Sequence, residues 1–266
     1  MDRNLAIELV RVSEFAALAA SRFIGRGDEK AADQAAVDAM RKCLNSLTIS
    51  GKVVIGEGER DEAPMLYIGE EVGLGGPRVD IALDPLEGTT ITAKGGENAM
   101  AVIALAQEGG FLNAPDVYME KISANVQNNQ VISLQQSLKS NIIELAKFKK
   151  INVEDLVICI LDRERHQGYL EVIRSTGARI KMIGDGDVSA VISSVIQTSN
   201  IDMYYGIGGA PEGVLAAAAL QCIGGSIEGK LLFNNEDEIQ RAKNTGINDL
   251  NKIYSIQDLA KGDIMF

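Results

Sequence analysis

Asp84-Pro85-Leu86-Glu87-Gly88-Thr89-Thr90 sets two carboxylates three residues apart, followed by a glycine and two hydroxyls. Oxygen donors of this kind suit a hard divalent cation, and the N–H and O–H groups beside them suit an anion such as phosphate. The preceding Val79-Asp80-Ile81-Ala82-Leu83 reads as a short buried strand. Asp84 is therefore expected where the chain leaves a sheet, with Pro85 fixing a turn and Gly88 letting backbone approach a ligand. The bland alternative is a polar turn, with Asp84 in an Asx turn and Thr89 capping a helix.

A second acidic group, Glu57-Gly58-Glu59-Arg60-Asp61-Glu62, follows a strand at Lys52-Val53-Val54-Ile55. Like charges this close raise one another's pKa unless they are exposed or neutralised, and cations are the natural compensation. In an extended segment Glu57, Glu59 and Asp61 point to one side, which favours metal or acid–base work over a solvated loop. Arg163 and Arg165 are forked donors suited to a second phosphate. Asp185 and Asp187 are suited to accept from sugar hydroxyls or to bind metal. Gly206 to Gly209 feed a helix whose first N–H groups attract anions, a weak signal alone. Asp33 and Glu212 stand near helix starts, where the macrodipole alone accounts for an acidic residue. Tyr118 offers a hydroxyl from a connection and reads equally well as packing with a wet tip. His166, the only histidine, follows two arginines and reads as a surface residue. One histidine and no G-x-S-x-G argue against a Ser-His-Asp hydrolase.

The elements that must position these residues follow from periodicity. Leu5, Leu9, Val12, Ala16, Ala19 and Phe23 predict one helix ending near Gly25. A flexible charged link, Gly25 to Lys30, leads to a second helix over 31–47. A helix is predicted over 63–72 and strands over 79–83 and 100–105. Residues 111–121 are predicted to be a connection, and the polar stretch 125–136 an exposed hairpin or loop. From Ser137 helices and strands alternate, with strands at 156–161, 180–183 and 201–205, which predicts parallel βαβ units whose carboxyl edge gathers ligand-binding loops. The residues 206–213 are read as one of those loops. The domain boundary is placed between 136 and 137, giving an N-terminal α+β subdomain, 1–136, with the metal site and a C-terminal α/β subdomain, 137–266.

The chain's 266 residues, 46% of them hydrophobic, are ample for a folded core. A net charge of −11 argues against a nucleic-acid surface, though carboxylates carrying metal ions still admit a phosphorylated metabolite. Cys43, Cys159 and Cys222 are odd in number and scattered, so they read as reduced core thiols of a cytoplasmic protein. No signal-peptide core or membrane-length apolar run is present, so no membrane partner is expected.

The Asp84–Thr89 segment resembles the D-P-x-[DE]-G-[ST] signature of the lithium-sensitive, metal-dependent phosphatase superfamily. Further blocks narrow the resemblance to the bacterial class II fructose-1,6-bisphosphatases. They are Gly25-Arg26-Gly27-Asp28, Ile55 to Glu59, Asp61 to Glu70, Asn113-Ala114-Pro115-Asp116, Gly184-Asp185-Gly186-Asp187 and Tyr205 to Gly213. They occur in family order across nearly the whole chain.

The resemblance implies a layered α/β/α/β/α fold and hydrolysis of the 1-phosphate of fructose 1,6-bisphosphate to fructose 6-phosphate in gluconeogenesis. It implies Asp33, Glu57, Asp84, Glu87 and Glu212 as ligands for Mn²⁺ or Mg²⁺, and Thr89 as the catalytic hydroxyl assisted by Glu59 and Asp61. It implies a sugar-phosphate pocket lined by Gly88, Thr89, Tyr118, Arg163, Glu164, Arg165, Asp185, Gly186, Asp187 and Gly209, in a homodimer or homotetramer. The alternatives are a phosphatase for sedoheptulose 1,7-bisphosphate or another sugar or inositol phosphate, and a non-catalytic sugar-phosphate sensor. The sequence departs from the family pattern at Glu29, which intervenes before Lys30. It also ends at Phe266, where the family continues through an A-T-G-[IV]-T-type segment, so a shortened chain is expected.

Overall fold

The computed structural model describes residues 3–56, 66–126 and 131–266. It forms two compact units, Met1–Asn113 with Ala260–Phe266, and Ala114–Leu259. Each is a β-sheet with packed helices, as the α/β class requires.

In the first unit, helix α1 (Arg3–Ser21) buries Leu5, Leu9, Val12, Ala16 and Ala20 along one stripe. It packs on α2 (Glu29–Leu44), whose buried face is Ala32, Ala36, Val37, Met40 and Leu44. These helices share one core with Val53, Ile81, Leu83 and Leu105 of the sheet. The link between them is tied down, not loose. Gly25 N donates to Thr92 O and Gly27 N to Ala93 O, both at 2.9 Å, and Asp28 caps α2 by accepting from Ala31 N. The cap lengthens α2 backward to Glu29, earlier than expected.

The sheet comprises β1 (Ser50–Ile55), β2 (Glu71–Val72), β3 (Arg78–Glu87), β4 (Met100–Gln107) and, near the C-terminus, β11 (Ile264–Met265). Its order is β11-β4-β3-β1-β2, with β1 and β3 parallel and the other pairings antiparallel. The helix predicted over 63–72 is not formed from Leu66 onward, and 63–65 lie outside the described residues. Instead Val53 N donates to Glu70 O and Gly69 N to Val53 O, laying the segment along β1. Pairing with a strand edge overrides the local helical spacing. Glu70 is also gripped by Arg41 of α2 through two hydrogen bonds, 2.8 and 3.2 Å.

The second unit begins earlier than the predicted break. The residues 111–121, read as connection, already contain the start of β5 (Tyr118–Ala124), which pairs antiparallel with both β8 (Met203–Gly209) and β9 (Ser226–Leu232). A strand hydrogen-bonded on both sides belongs with its sheet, so the division falls after Asn113. The sheet order is β10-β9-β5-β8-β6-β7, with β6 (Val157–Leu161), β7 (Arg179–Ile183) and β10 (Ile253–Ser255). The predicted parallel pattern holds for β7-β6-β8, while β5, β9 and β10 add antiparallel pairings. Strand β8 also runs through Gly206–Gly209, where the sequence predicts a loop; antiparallel pairing with β5 holds those glycines extended.

Alternation along β5 divides the helices between two faces. Ile122 and Ala124 join the core with Ile142 and Leu145 of α4 (Leu138–Lys149) and Leu170 and Ile173 of α5 (Gln167–Thr176). Lys121 and Ser123 instead meet Asp187 and Ser194 of α6 (Asp187–Val195), which packs on α7 (Ala210–Ile223). Helices α8 (Glu236–Asn244) and α9 (Ile256–Leu259) complete the unit.

Several expectations are corrected here. Val126, Ile132 and Ser133 in the stretch read as exposed are buried, and Glu228 accepts from Ser133 Oγ at 2.9 Å and Leu134 N at 2.7 Å; residues 127–130 are not described. Cys159 is buried, and burial pushes its thiol up to about 12, but Cys222 is exposed because it lies on the outer side of the last turn of α7. No helix among the described residues is long and apolar enough to cross a membrane.

His166 is fully buried, not superficial. Its Nδ1 lies 2.7 Å from Leu161 O, and its Nε2 accepts from Ile207 N at 2.8 Å. Those partners assign the neutral tautomer with the proton on Nδ1. Burial, helped by Arg165 and Arg163, pulls its pKa below the ordinary 6.5, against the pull of the backbone bonds. The folded state therefore binds this proton less readily than the unfolded chain. Its contribution is complete above about pH 6.5 and is lost as pH falls through the lowered folded value. Melting temperature measured between about pH 7.5 and pH 5 should fall with acidification, and His166→Gln, which cannot titrate, should flatten that fall while lowering stability at the neutral end.

Candidate active site

Asp84 and Glu87 do not leave the sheet, as sequence reading expected, but lie within β3. Opposite them, Asp84 pairs with Val102 and Glu87 with Met100, so three steps on β3 span two on β4. That is a β-bulge at Pro85-Leu86, where proline has no N–H to give the ladder. In a regular strand, residues three apart face opposite ways. The inserted residue returns Asp84 and Glu87 to one face. Leu86 N donates to Asp84 Oδ1 at 3.0 Å, so the Asx-turn geometry of the bland reading is present as well.

Gly88 then reverses the chain with φ of 93°, in the left-handed region, and caps α3 (Thr89–Lys94) through its backbone. Thr89 is therefore the first helical residue and not the cap. A Cβ at Gly88 would lie 2.9 Å from Ile91 Cδ1, so both conformation and space select glycine. Helix α2, which carries Asp33, packs on β3 and α3. The first unit thus brings the helix of Asp33 beside the strand of Asp84 and Glu87. Glu57, Glu59 and Asp61 lie outside the described residues.

In the second unit, the substrate residues expected from the resemblance gather at two points of the sheet's edge. Arg163 Nη1 donates to Gly184 O at 2.6 Å and Asp162 O at 3.1 Å, and Arg163 Nη2 lies 3.8 Å from Asp185 Oδ1. The loops after β6 and β7 are joined by these contacts. Arg165 donates through Nε and Nη2 to Ile207 O, and its guanidinium stands 4.7 Å above the Tyr118 ring. Tyr118 is paired with Gly209 across the β5–β8 ladder. Glu164 is exposed in the intervening 3-10 turn, and Gly186 turns with φ of 87° into α6.

Asp187 differs from its sequence reading as an open loop acceptor. It is buried and forms an ion pair with Lys121, itself fully buried on β5. Lys121 Nζ also donates to Gly209 O at 2.8 Å, and Tyr204 Oη donates to Asp187 Oδ2 at 3.4 Å. A Cβ at Gly208 would stand 2.1 Å from Asp187 Oδ2, and one at Gly209 would stand 2.0 Å from Glu212 Oε2. The two glycines make room for two carboxylates against the backbone. Lys121 was not singled out in the sequence. Its signal is a lysine between Met119 and Ile122, in the segment that forms β5.

Glu212 Oε2 is buried with no hydrogen-bond partner among the described residues. Burial, then the nearby Asp187, hold the Glu212 carboxyl above the usual carboxylate range, while Lys121 opposes them. A divalent cation would supply the compensating positive charge that a buried carboxylate oxygen needs. Asp33, Asp84 and Glu87 in the first unit likewise offer only hard oxygen donors. These residues fit Mn²⁺ or Mg²⁺ by donor chemistry, although no three His, Cys, Asp or Glu side chains among the described residues form a closed metal cluster.

The chain is similar to known proteins throughout. Residues 3–266 match the family described as bacterial fructose-1,6-bisphosphatase, glpX-encoded. A Trichodesmium erythraeum protein named D-fructose 1,6-bisphosphatase class 2/sedoheptulose 1,7-bisphosphatase is 41% identical over 99% of this chain and 84% of its own length. A Synechococcus protein of the same name is 42% identical over 100% of this chain and 84% of its own. With the Asp-Pro-Leu-Glu-Gly-Thr bulge in place and the family match running from residue 3 to residue 266, this chain belongs to the glpX-encoded bacterial fructose-1,6-bisphosphatase family.

Proposed function

We propose that this chain hydrolyses the 1-phosphate of fructose 1,6-bisphosphate, giving fructose 6-phosphate and phosphate. The observation that carries the reading is the family match over residues 3–266. We assign Asp33, Glu57, Asp84 and Glu87, together with Glu212, as the oxygen donors for Mn²⁺ or Mg²⁺. When bound, such an ion neutralises charge on the phosphate and polarises the attacking oxygen.

The chain's own groups do the rest. Thr89, at the start of α3, presents its hydroxyl beside Gly88, either as nucleophile or to orient a water. Glu59 or Asp61 accepts the proton released by the attack. Tyr118, Arg163, Glu164, Arg165, Asp185, Gly186, Asp187 and Gly209 hold the sugar and its distant phosphate. Arg165 is supported for this by its anchorage to Ile207 O and its stacking on Tyr118, which fix the guanidinium before substrate arrives. Asp187 serves through its pairing with Lys121, which fixes the position of Gly209 as well.

A second substrate, sedoheptulose 1,7-bisphosphate, is favoured by the double name of the relatives. Both sugars carry two phosphates, so arginine recognition of the distant one serves either.

Phosphate release from fructose 1,6-bisphosphate is expected with Mn²⁺ or Mg²⁺, to stop with EDTA and to slow with Li⁺; release only from inositol phosphates, or binding without release, refutes the reading. Comparing fructose and sedoheptulose bisphosphates in the same assay decides the second substrate. Thr89→Ala should lower kcat by on the order of 10²-fold or more with metal affinity by calorimetry nearly unchanged. Arg165→Ala, removing charge-assisted bonds of about 1.5–3 kcal/mol, should raise KM for the bisphosphate by roughly 10- to 100-fold and leave hydrolysis of a sugar 1-monophosphate much less affected.

A further inference from the structure

Helix α1 carries four large apolar side chains that no described residue covers: Ile7 is 62% exposed, Val10 53%, Phe15 53% and Leu18 65%. Single exposed apolar residues are ordinary, but four on one helix face form a patch. They project opposite Leu5, Leu9, Val12, Ala16 and Ala20, the stripe buried in the first unit.

The outer face is also symmetric. Each exposed residue between Asn4 and Ser21 has an exposed counterpart equally far beyond the Val12–Ser13 bond. Asn4 answers Ser21, Ile7 answers Leu18, Glu8 answers Ala17, Val10 answers Phe15 and Arg11 answers Glu14. Under this exchange the large apolar residues meet one another and the central cation meets the central anion. A two-fold axis performs that exchange on two antiparallel copies of the helix.

We propose that the outer face of α1 is a homodimer interface, with α1 of a second copy lying antiparallel across a two-fold axis at Val12–Ser13. Ile7 then packs on Leu18 of the partner subunit, and Val10 on Phe15 of the partner subunit. Within one chain Arg11 Nη1 and Glu14 Oε2 are already 3.0 Å apart. Two such pairs across the axis close into a ring of four alternating charges. A parallel pairing would instead set each arginine against its own copy, which like-charge repulsion opposes. A shallow crossing of about 20° keeps the faces together along the helix.

Sedimentation velocity on the full chain at about 50 μM, where a micromolar dimer is mostly assembled, tests the surface. The parent should associate, and Leu18→Glu should raise the Kd by more than about tenfold with circular dichroism unchanged. Arg11→Glu and Glu14→Arg should each weaken association, and the two together restore it. A parent that stays monomeric, or association indifferent to Leu18→Glu, overturns the proposal. For the register, in a Cys222→Ser background, chains with Ile7→Cys and chains with Leu18→Cys should cross-link when mixed and neither alone. Cross-linking by Ile7→Cys alone overturns the antiparallel arrangement.

Discussion

A β-strand shows its residues alternately to two faces, and Asp84 and Glu87 are spaced to fall on opposite ones. The one-residue bulge at Pro85-Leu86 removes that conflict, and the rest of the first unit is arranged about it. Strand β3 lies between β1 and β4; β1 pairs with it only as far as Ala82, while β4 holds it on either side of the bulge, at Asp84 and at Glu87. Gly88 ends the strand in a left-handed turn and starts α3 at once, which puts the Thr89 hydroxyl two residues beyond Glu87. The carbonyls of Thr92 and Ala93 then hold the link into α2, the helix of Asp33. Backbone geometry, more than side-chain packing, brings these residues to one end of the unit.

The second unit solves a different problem, that of keeping charges in a dry interior. Lys121, Asp187 and Glu212 are one ammonium and two carboxyl groups crowded where the Gly208-Gly209 backbone carries no side chains. A buried pair of this kind gains little net stability over an apolar one, but losing a single partner is costly. Its value is in fixing positions: the same ammonium holds the Asp187 carboxylate and the Gly209 carbonyl, on the α6 and β8 sides of β5. On the opposite face Glu120 accepts from Tyr169 and Tyr205 at 2.7 Å each, beneath the loop that carries Arg163 and Arg165.

Where local periodicity matched the final environment, the sequence was legible. Helices α1 and α2, strand β4 and the alternation from α4 to α6 all form, although α1 ends at Ser21, short of Gly25, and buries Ala20 where the spacing predicts Ala19. It misled where pairing overrode spacing. The segment after Leu66 follows β1 instead of coiling, the connection before Ile122 is a central strand, and the glycines of β8 are extended because β5 binds them. Among the site residues, types were readable and environments were not. Asp187 looked open and is buried, His166 looked superficial and is locked between two backbone groups, and Lys121 gave no sign until β5 was placed. Each case depends on contacts between residues far apart in sequence, which no local pattern encodes.

The route of the chain bears on how it is made. After β4 it departs to build the whole of Ala114–Leu259, and only afterwards do Phe111 and Ala260 bridge and Ile264–Met265 join β4 at Leu105 and Ala106. During synthesis, one rim of the first sheet must wait with bare amide and carbonyl groups while more than half of the polypeptide is still emerging. The intervening unit, whose strands all come from its own contiguous stretch, is free to mature first, so the earliest-translated segment is among the last to be finished.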